Sequence, residues 1–180
     1  MRLSSLVKDA GLIERGLIAH PRTRSFHMVK EKTTQDTPLS SPNAPPVSLT
    51  PLVVRTSELD SFGHVNHAVY LTYFEHARFQ ALKEAGFDWN VLDDRGWAIF
   101  VVRVEVDYLA EAGREDELLI RTQAESFRRT SMLLAQDIVR DDGSGTIIAR
   151  AKVTAVWIGP NRRPIRVPEE VREGLTKPRG

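Results

Sequence analysis

The chain of 180 residues contains no cysteine. Disulfide frameworks, cysteine nucleophiles and thiolate metal sites are therefore excluded. No apolar run reaches the roughly 18 residues that a membrane-spanning helix needs. Charge of one sign is also missing: 25 Lys and Arg stand against 24 Asp and Glu, for a formal net charge of +1. That balance gives no reason to expect a nucleic acid or an acidic membrane surface as a partner. Three phosphate or nucleophile signatures are absent as well: G-x-S-x-G, G-x-x-x-x-G-K-[ST] and G-x-G-x-x-G. What remains is 41% apolar and 27% charged, the make-up of a globular, soluble chain of about one domain.

The composition is uneven along the chain. Residues 1–47 carry a net charge of +3, five of the ten prolines and one aromatic, Phe26. Residues 30–47 (KEKTTQDTPLSSPNAPPV) hold too little apolar surface to offset the entropy of ordering them. Residues 1–47 are thus expected to be a disordered or loosely structured extension, and residues 48–176 the folded domain. Leu3, Leu6, Val7, Ala10, Ile13 and Leu17 do recur near a helical period. Arg2, Lys8, Arg15, Arg22 and Arg24 would suit an amphipathic targeting peptide, which Asp9 and Glu14 weaken. A start at Met28 is the alternative. With no secretory signal and no spanning segment, the expected location is the cytoplasm.

Residues 48–59 read as a strand whose proline limits pairing near its start. Residues 60–67 (DSFGHVNH) are a polar connection. Residues 68–85 follow a helical period, with Tyr70, Phe74, Ala77 and Ala81 on one stripe and Gly86 as the stop. Four extended runs follow, at 97–108, 116–127, 130–140 and 146–158. In the first, Val102, Val104 and Val106 alternate with Arg103, Glu105 and Asp107. Asp141-Asp142-Gly143-Ser144-Gly145 reads as a hairpin turn, and Pro168 opens a short C-terminal helix. The order predicts an α+β domain: one strand, a buried helix, then four strands in antiparallel succession. Such a sheet leaves an edge strand free to pair with a second subunit.

The polar cluster is Glu58, Asp60, His64, Asn66 and His67, at the hand-over from strand to helix. A helix start presents backbone N–H groups and a positive dipole end. A carboxylate beside it has the parts for acyl transfer: a base or nucleophile, and donors for a developing oxyanion. Asp60 has a second reading, as a cap of the turn or helix. His64, His67 and Asp60 make a weak metal set, with no HExxH to support it. Arg128, Arg129, Thr130 and Ser131 form a strand corner able to grip a phosphate, or simply a solvated turn.

Residues 57–71 (SELDSFGHVNHAVYL), continued by Phe74-Glu75-His76-Ala77-Arg78, resemble the hotdog-fold acyl-CoA thioesterases of the 4-hydroxybenzoyl-CoA thioesterase type. Arg103–Tyr108, Asp116-Glu117-Leu118, Arg129-Thr130-Ser131 and the Ala149–Trp157 strand extend the resemblance over about residues 50–172. Glu58 stands at the first aspartate of the family pattern and Asp60 at the second. The resemblance implies a hotdog fold, an antiparallel sheet wrapped around one long central helix. It implies a homodimer with a continuous sheet, often paired into a homotetramer, with each site at the interface.

For the chemistry, the resemblance implies hydrolysis of an acyl-CoA thioester to free acid and CoA, without metal or other cofactor. Asp60 takes the role of nucleophile or general base, and the backbone N–H around His67 polarises the carbonyl. Some relatives use a histidine at the His67 position. His64 and Asn66 shape the site around the substrate, and Arg128, Arg129 and Ser131 are the candidates for meeting the phosphates of CoA. Two alternatives stand beside this reading: an acyl carrier protein thioesterase, and a non-catalytic hotdog domain that binds acyl thioesters. Phe62, Tyr70, Trp97 and Phe100 are candidates for lining an acyl pocket or for the core.

Overall fold

The computed structural model describes residues 46–177; all but the last two residues of the expected extension lie outside them. Five strands and three helices follow in the order β1 (Ser48–Val53), α1 (Val69–Glu84), α2 (Trp89–Asp94), β2 (Ala98–Tyr108), β3 (Glu117–Phe127), β4 (Ser131–Arg140), β5 (Ile147–Ile158) and α3 (Glu169–Thr176). The strands form one antiparallel sheet in the order β1-β3-β4-β5-β2.

This order corrects the expected succession of four strands. β3, β4 and β5 are neighbours in turn, but β2 does not lie beside β3. It crosses to the far edge and pairs with β5, from Ala98 opposite Ile158 to Tyr108 opposite Ala149. Periodicity reports which face a residue occupies, not which strand lies next to it. Pro51 falls in β1, at the other edge, where a missing N–H costs least.

Helix α1 buries Tyr70, Tyr73, Phe74, Ala77, Ala81 and Leu82, the 3–4 spacing of one face. That face packs on β1 and β3. Phe74 and Ala77 are fully buried, along with Trp157, Ile120, Ile138, Ile148 and Val153 from the sheet. A buried polar network ties helix to sheet. The Gln136 amide donates to the Phe74 carbonyl at 3.0 Å and to the Thr122 hydroxyl at 2.9 Å, and accepts from Arg78 at 2.9 Å. Burial lowers the pKa of the Arg78 guanidinium. Gly86, at φ +90°, ends the helix in a left-handed turn. Its N–H meets the Lys83 carbonyl, and that of Phe87 reaches Leu82.

Helix α2 has no forerunner in the sequence pattern. Six residues are too few to show a period. Its one local signal is Asp88, whose carboxylate caps the Val91 N–H at 3.0 Å.

Three register shifts bend the sheet, one of them leaving Ile148 as an extra residue in β5 opposite β4. Val102 is an extra residue in β2 opposite β5, and Glu125 an extra residue in β3 opposite β4. From Arg103 onward the side chains alternate between the two faces, but burial does not follow the expected pattern, Val106 alone being partly covered. Arg103, Glu105 and Asp107 lie opposite Thr154, Lys152 and Arg150, and Val104 lies opposite the buried Val153. As an edge strand β2 keeps little of its apolar surface covered: Phe100, Val101, Val102, Val104 and Tyr108 are all exposed.

Candidate active site

The polar cluster folds into a tight loop between β1 and α1. It begins with a 3-10 turn at Thr56–Glu58. The Glu58 carboxylate accepts the Arg55 N–H and the Tyr73 hydroxyl, each at 2.7 Å. Glu58 is therefore a fastener between the loop and α1, with its negative charge already answered by donors.

Asp60 organises the next turn. Its Oδ1 accepts the Phe62 N–H at 2.8 Å and the His64 N–H at 3.3 Å, while its own N–H donates to the His64 carbonyl at 2.8 Å. Gly63 lies inside this turn at φ +82°, a conformation that favours glycine. Thus the capping reading of Asp60 is satisfied by one oxygen. The second oxygen, Oδ2, has no hydrogen-bond partner among the described residues.

The far side of the loop is stitched to the β2–β3 connection. His64 bridges to Gly113, and the Val65 N–H donates to the Ala112 carbonyl at 2.8 Å. The His64 Nε2 lies 3.3 Å from the Glu111 carboxylate. Asn66 Oδ1 accepts the Ala68 N–H at 2.9 Å, its carbonyl accepts the Val69 N–H at 2.9 Å, and its own N–H reaches the Glu58 carbonyl. Asn66 thus builds the helix entry. Among the described residues nothing accepts the His67 N–H. An open donor immediately ahead of a 16-residue helix sits at the positive end of its dipole. The His67 imidazole is exposed, and no hydrogen bond joins it to Asp60. No three His, Asp or Glu side chains among the described residues converge as metal ligands.

Arg128, Arg129 and Ser131 lie elsewhere. The register puts Phe127 opposite Met132, Met132 opposite Ala155 and Ala155 opposite Val101. The loop of Asp60, by contrast, meets the sheet at Tyr108. Between those levels β2 runs roughly 20–25 Å, at about 3.3 Å per residue. Arg128 and Ser131 line an open groove of about 460 Å³ with Arg103, Glu105 and Thr154, beside the bulges at Val102 and Glu125. Arg129 is exposed and outside that groove; its carbonyl accepts the Val167 N–H. Within one chain, then, the arginine corner and the acidic loop occupy opposite ends of the sheet.

Of the aromatic candidates, Tyr70 is core at 4% exposure and Phe62 projects at 83%. Trp97 packs edge-on against Trp157, and Phe100 belongs to the exposed edge. Tyr73, Tyr108 and Glu111 also border the loop and Arg103 the groove, and no motif marks them: Tyr73 reads as another core aromatic, the others as strand or loop surface.

One long helix on a five-stranded antiparallel sheet, with an acidic loop ahead of the helix, defines a hotdog domain of the α+β class. The model of the thioesterase-like superfamily matches residues 54–175, and the chain belongs to that family. The acyl-CoA thioester hydrolase YbgC of Escherichia coli is 31% identical over 122 residues, covering 67% of this chain and 90% of that protein. The chloroplastic acyl-acyl carrier protein thioesterase ATL2 of Arabidopsis thaliana is 32% identical over 121 residues. The match covers 67% of this chain and 64% of ATL2, so the chain spans under two thirds of the plant relative. Among solved structures, the probable thioesterase YbaW of Escherichia coli superposes with a TM-score of 0.64 at 30% identity, over 72% of this chain and 99% of that one. No helix among the described residues is long and apolar enough to cross a membrane.

Proposed function

We propose that the protein hydrolyses an acyl-CoA thioester to a free acid and CoA, with Asp60 at the reacting carbon. The observation that carries this reading is the division of labour within Asp60. One oxygen holds the loop through two N–H groups and the other has no partner among the described residues, while the same loop ends in the His67 N–H, which no described residue accepts. A fixed carboxylate and a fixed donor are the two parts that thioester cleavage needs.

Asp60 acts in one of two ways. It attacks the carbonyl carbon, the C–S bond breaks, CoA leaves as thiolate, and water hydrolyses the resulting anhydride. Alternatively it takes the proton of the attacking water. In either route the His67 N–H holds the oxygen that gains charge. A general base typically contributes 10²–10⁴-fold and an oxyanion donor a similar order.

The β2 edge, unpaired among the described residues, supports a homodimer, closed into a homotetramer or left as a pair. A twofold pairing of β2 with its copy runs the strands antiparallel. It sets the Tyr108 end of one subunit toward the Ala98 end of the other, and so brings Arg128 and Ser131 of one chain toward Asp60 of its partner. In that arrangement the groove by Arg103 and Arg128 meets the phosphates of CoA, with His64 and Asn66 framing the thioester. The name of the plant relative supports an acyl carrier protein as a second thioester source.

Free-thiol release from short, long and aromatic acyl-CoAs, and from acyl carrier protein thioesters, tests the reading. The native protein should turn over at least one of them, and Asp60→Asn should be slower by about 10² or more. Equal rates for the two proteins would overturn the role of Asp60. Tight CoA binding without turnover would make the chain a binding domain.

A further inference from the structure

The chain has three tyrosines, and all of them meet beneath the loop of Asp60. Tyr70 packs edge-on against both others, 6.1 Å from Tyr73 at 73° and 5.5 Å from Tyr108 at 65°. Two of the hydroxyls fasten different parts of the loop's frame. Tyr73 donates to Glu58 at the loop's start. The Tyr70 phenol faces the backbone of Ala112, whose carbonyl holds Val65. Tyr108, from the end of β2, donates to the His67 carbonyl at 2.9 Å.

We infer that Tyr108 is a positioning residue for the His67 N–H. The inference rests on the reading of that N–H as the donor to the thioester oxygen. The peptide joining His67 to Ala68 is gripped at both ends. Its carbonyl accepts the Tyr108 hydroxyl, and its N–H donates to Asn66 Oδ1 at 2.9 Å. On the other side of His67, the Asn66 N–H is held by the Glu58 carbonyl at 3.0 Å. The free N–H therefore lies between two anchored groups and is aimed before any substrate arrives. Preorganised donors stabilise developing charge because no reorientation is needed during the reaction. Without the Tyr108 hydroxyl, the His67 carbonyl is free to turn to water, and the aim of the adjacent N–H loosens.

Tyr108→Phe isolates the hydroxyl, since the ring and its packing on Tyr70 are kept. Steady-state hydrolysis is compared for native protein and variant on the best acyl-CoA of the panel. Melting temperature and CoA binding by calorimetry are measured alongside. The expected result is a fall in kcat of about tenfold, a fraction of the roughly 10²–10³ that loss of an oxyanion donor itself costs. KM, CoA affinity and melting temperature should stay near native values. A native kcat in the variant, a loss carried in KM, or a kcat loss matched by a collapse in melting temperature would each overturn the inference. Native turnover abolished by Asp60→Asn, together with a native kcat in Tyr108→Phe, sinks this inference alone. Absence of thioester turnover by the native protein sinks the underlying reading first.

Discussion

Asp60 and His64 are bonded to each other in both directions. The Asp60 N–H donates to the His64 carbonyl at 2.8 Å, and Asp60 Oδ1 accepts the His64 N–H at 3.3 Å. The side chain proposed to meet the thioester is thus also the peg of its own turn. Asn offers the same Oδ1, so Asp60→Asn should melt close to the native protein while losing turnover. Asp60→Ala removes the peg and should cost about 1 kcal/mol, a few degrees in melting temperature. Calorimetry of the three proteins checks this. An alanine variant as stable as the asparagine variant would show that the turn does not depend on the side chain.

The tyrosine cluster makes alkaline pH informative. Burial pushes the Tyr70 phenol up to about 12. Burial, reinforced by the neighbouring Glu58 carboxylate, raises that of Tyr73 as well. A raised pKa means that the native state holds its proton longer than the unfolded chain, whose phenols ionise near pH 10. Their contribution to stability is therefore intact below about pH 10 and is lost as the pH climbs toward about 12. Phenolate absorbance and far-ultraviolet circular dichroism should change together over that range. Ionisation of Tyr70 and Tyr73 near pH 10 in a still-folded protein would contradict their burial.

The exposed edge should be covered in solution. Val102 is 61% exposed and Phe100 49%, on a strand with one side unpaired among the described residues. Such an edge either joins a partner or aggregates. Light scattering should give the native protein the mass of two chains or a multiple of it. The double substitution Val102→Lys and Val104→Lys should shift that mass to one chain and lower turnover together with it. A native protein of single-chain mass at micromolar concentration would remove the proposed pairing.

Much of this architecture was legible in the sequence because it rests on periodicity. The 3–4 spacing of Tyr70, Phe74, Ala77 and Ala81 foretold α1, and the alternation from Arg103 to Asp107 foretold β2. The strand order was not legible, because β2 could meet β3 or β5 with the same faces buried. Nor was the bulge at Val102, where the pleat slips by one residue without any glycine to mark it. In the site, the loop from Glu58 to His67 was visible as a cluster of polar residues. The use of Glu58 and the tyrosine hydroxyls as fasteners was not, because those bonds join residues up to 41 positions apart.

The separation of Asp60 from Arg128 along the sheet has a genetic consequence. If each centre draws its aspartate from one chain and its arginine from the other, two defective proteins can repair one another. Asp60→Asn and Arg128→Ala, each impaired alone, should regain activity when co-expressed. A mixed pair then holds one centre with both defects and one with neither. Random assortment of equal amounts restores about a quarter of all centres. A chain that completed its own site would show no such rescue.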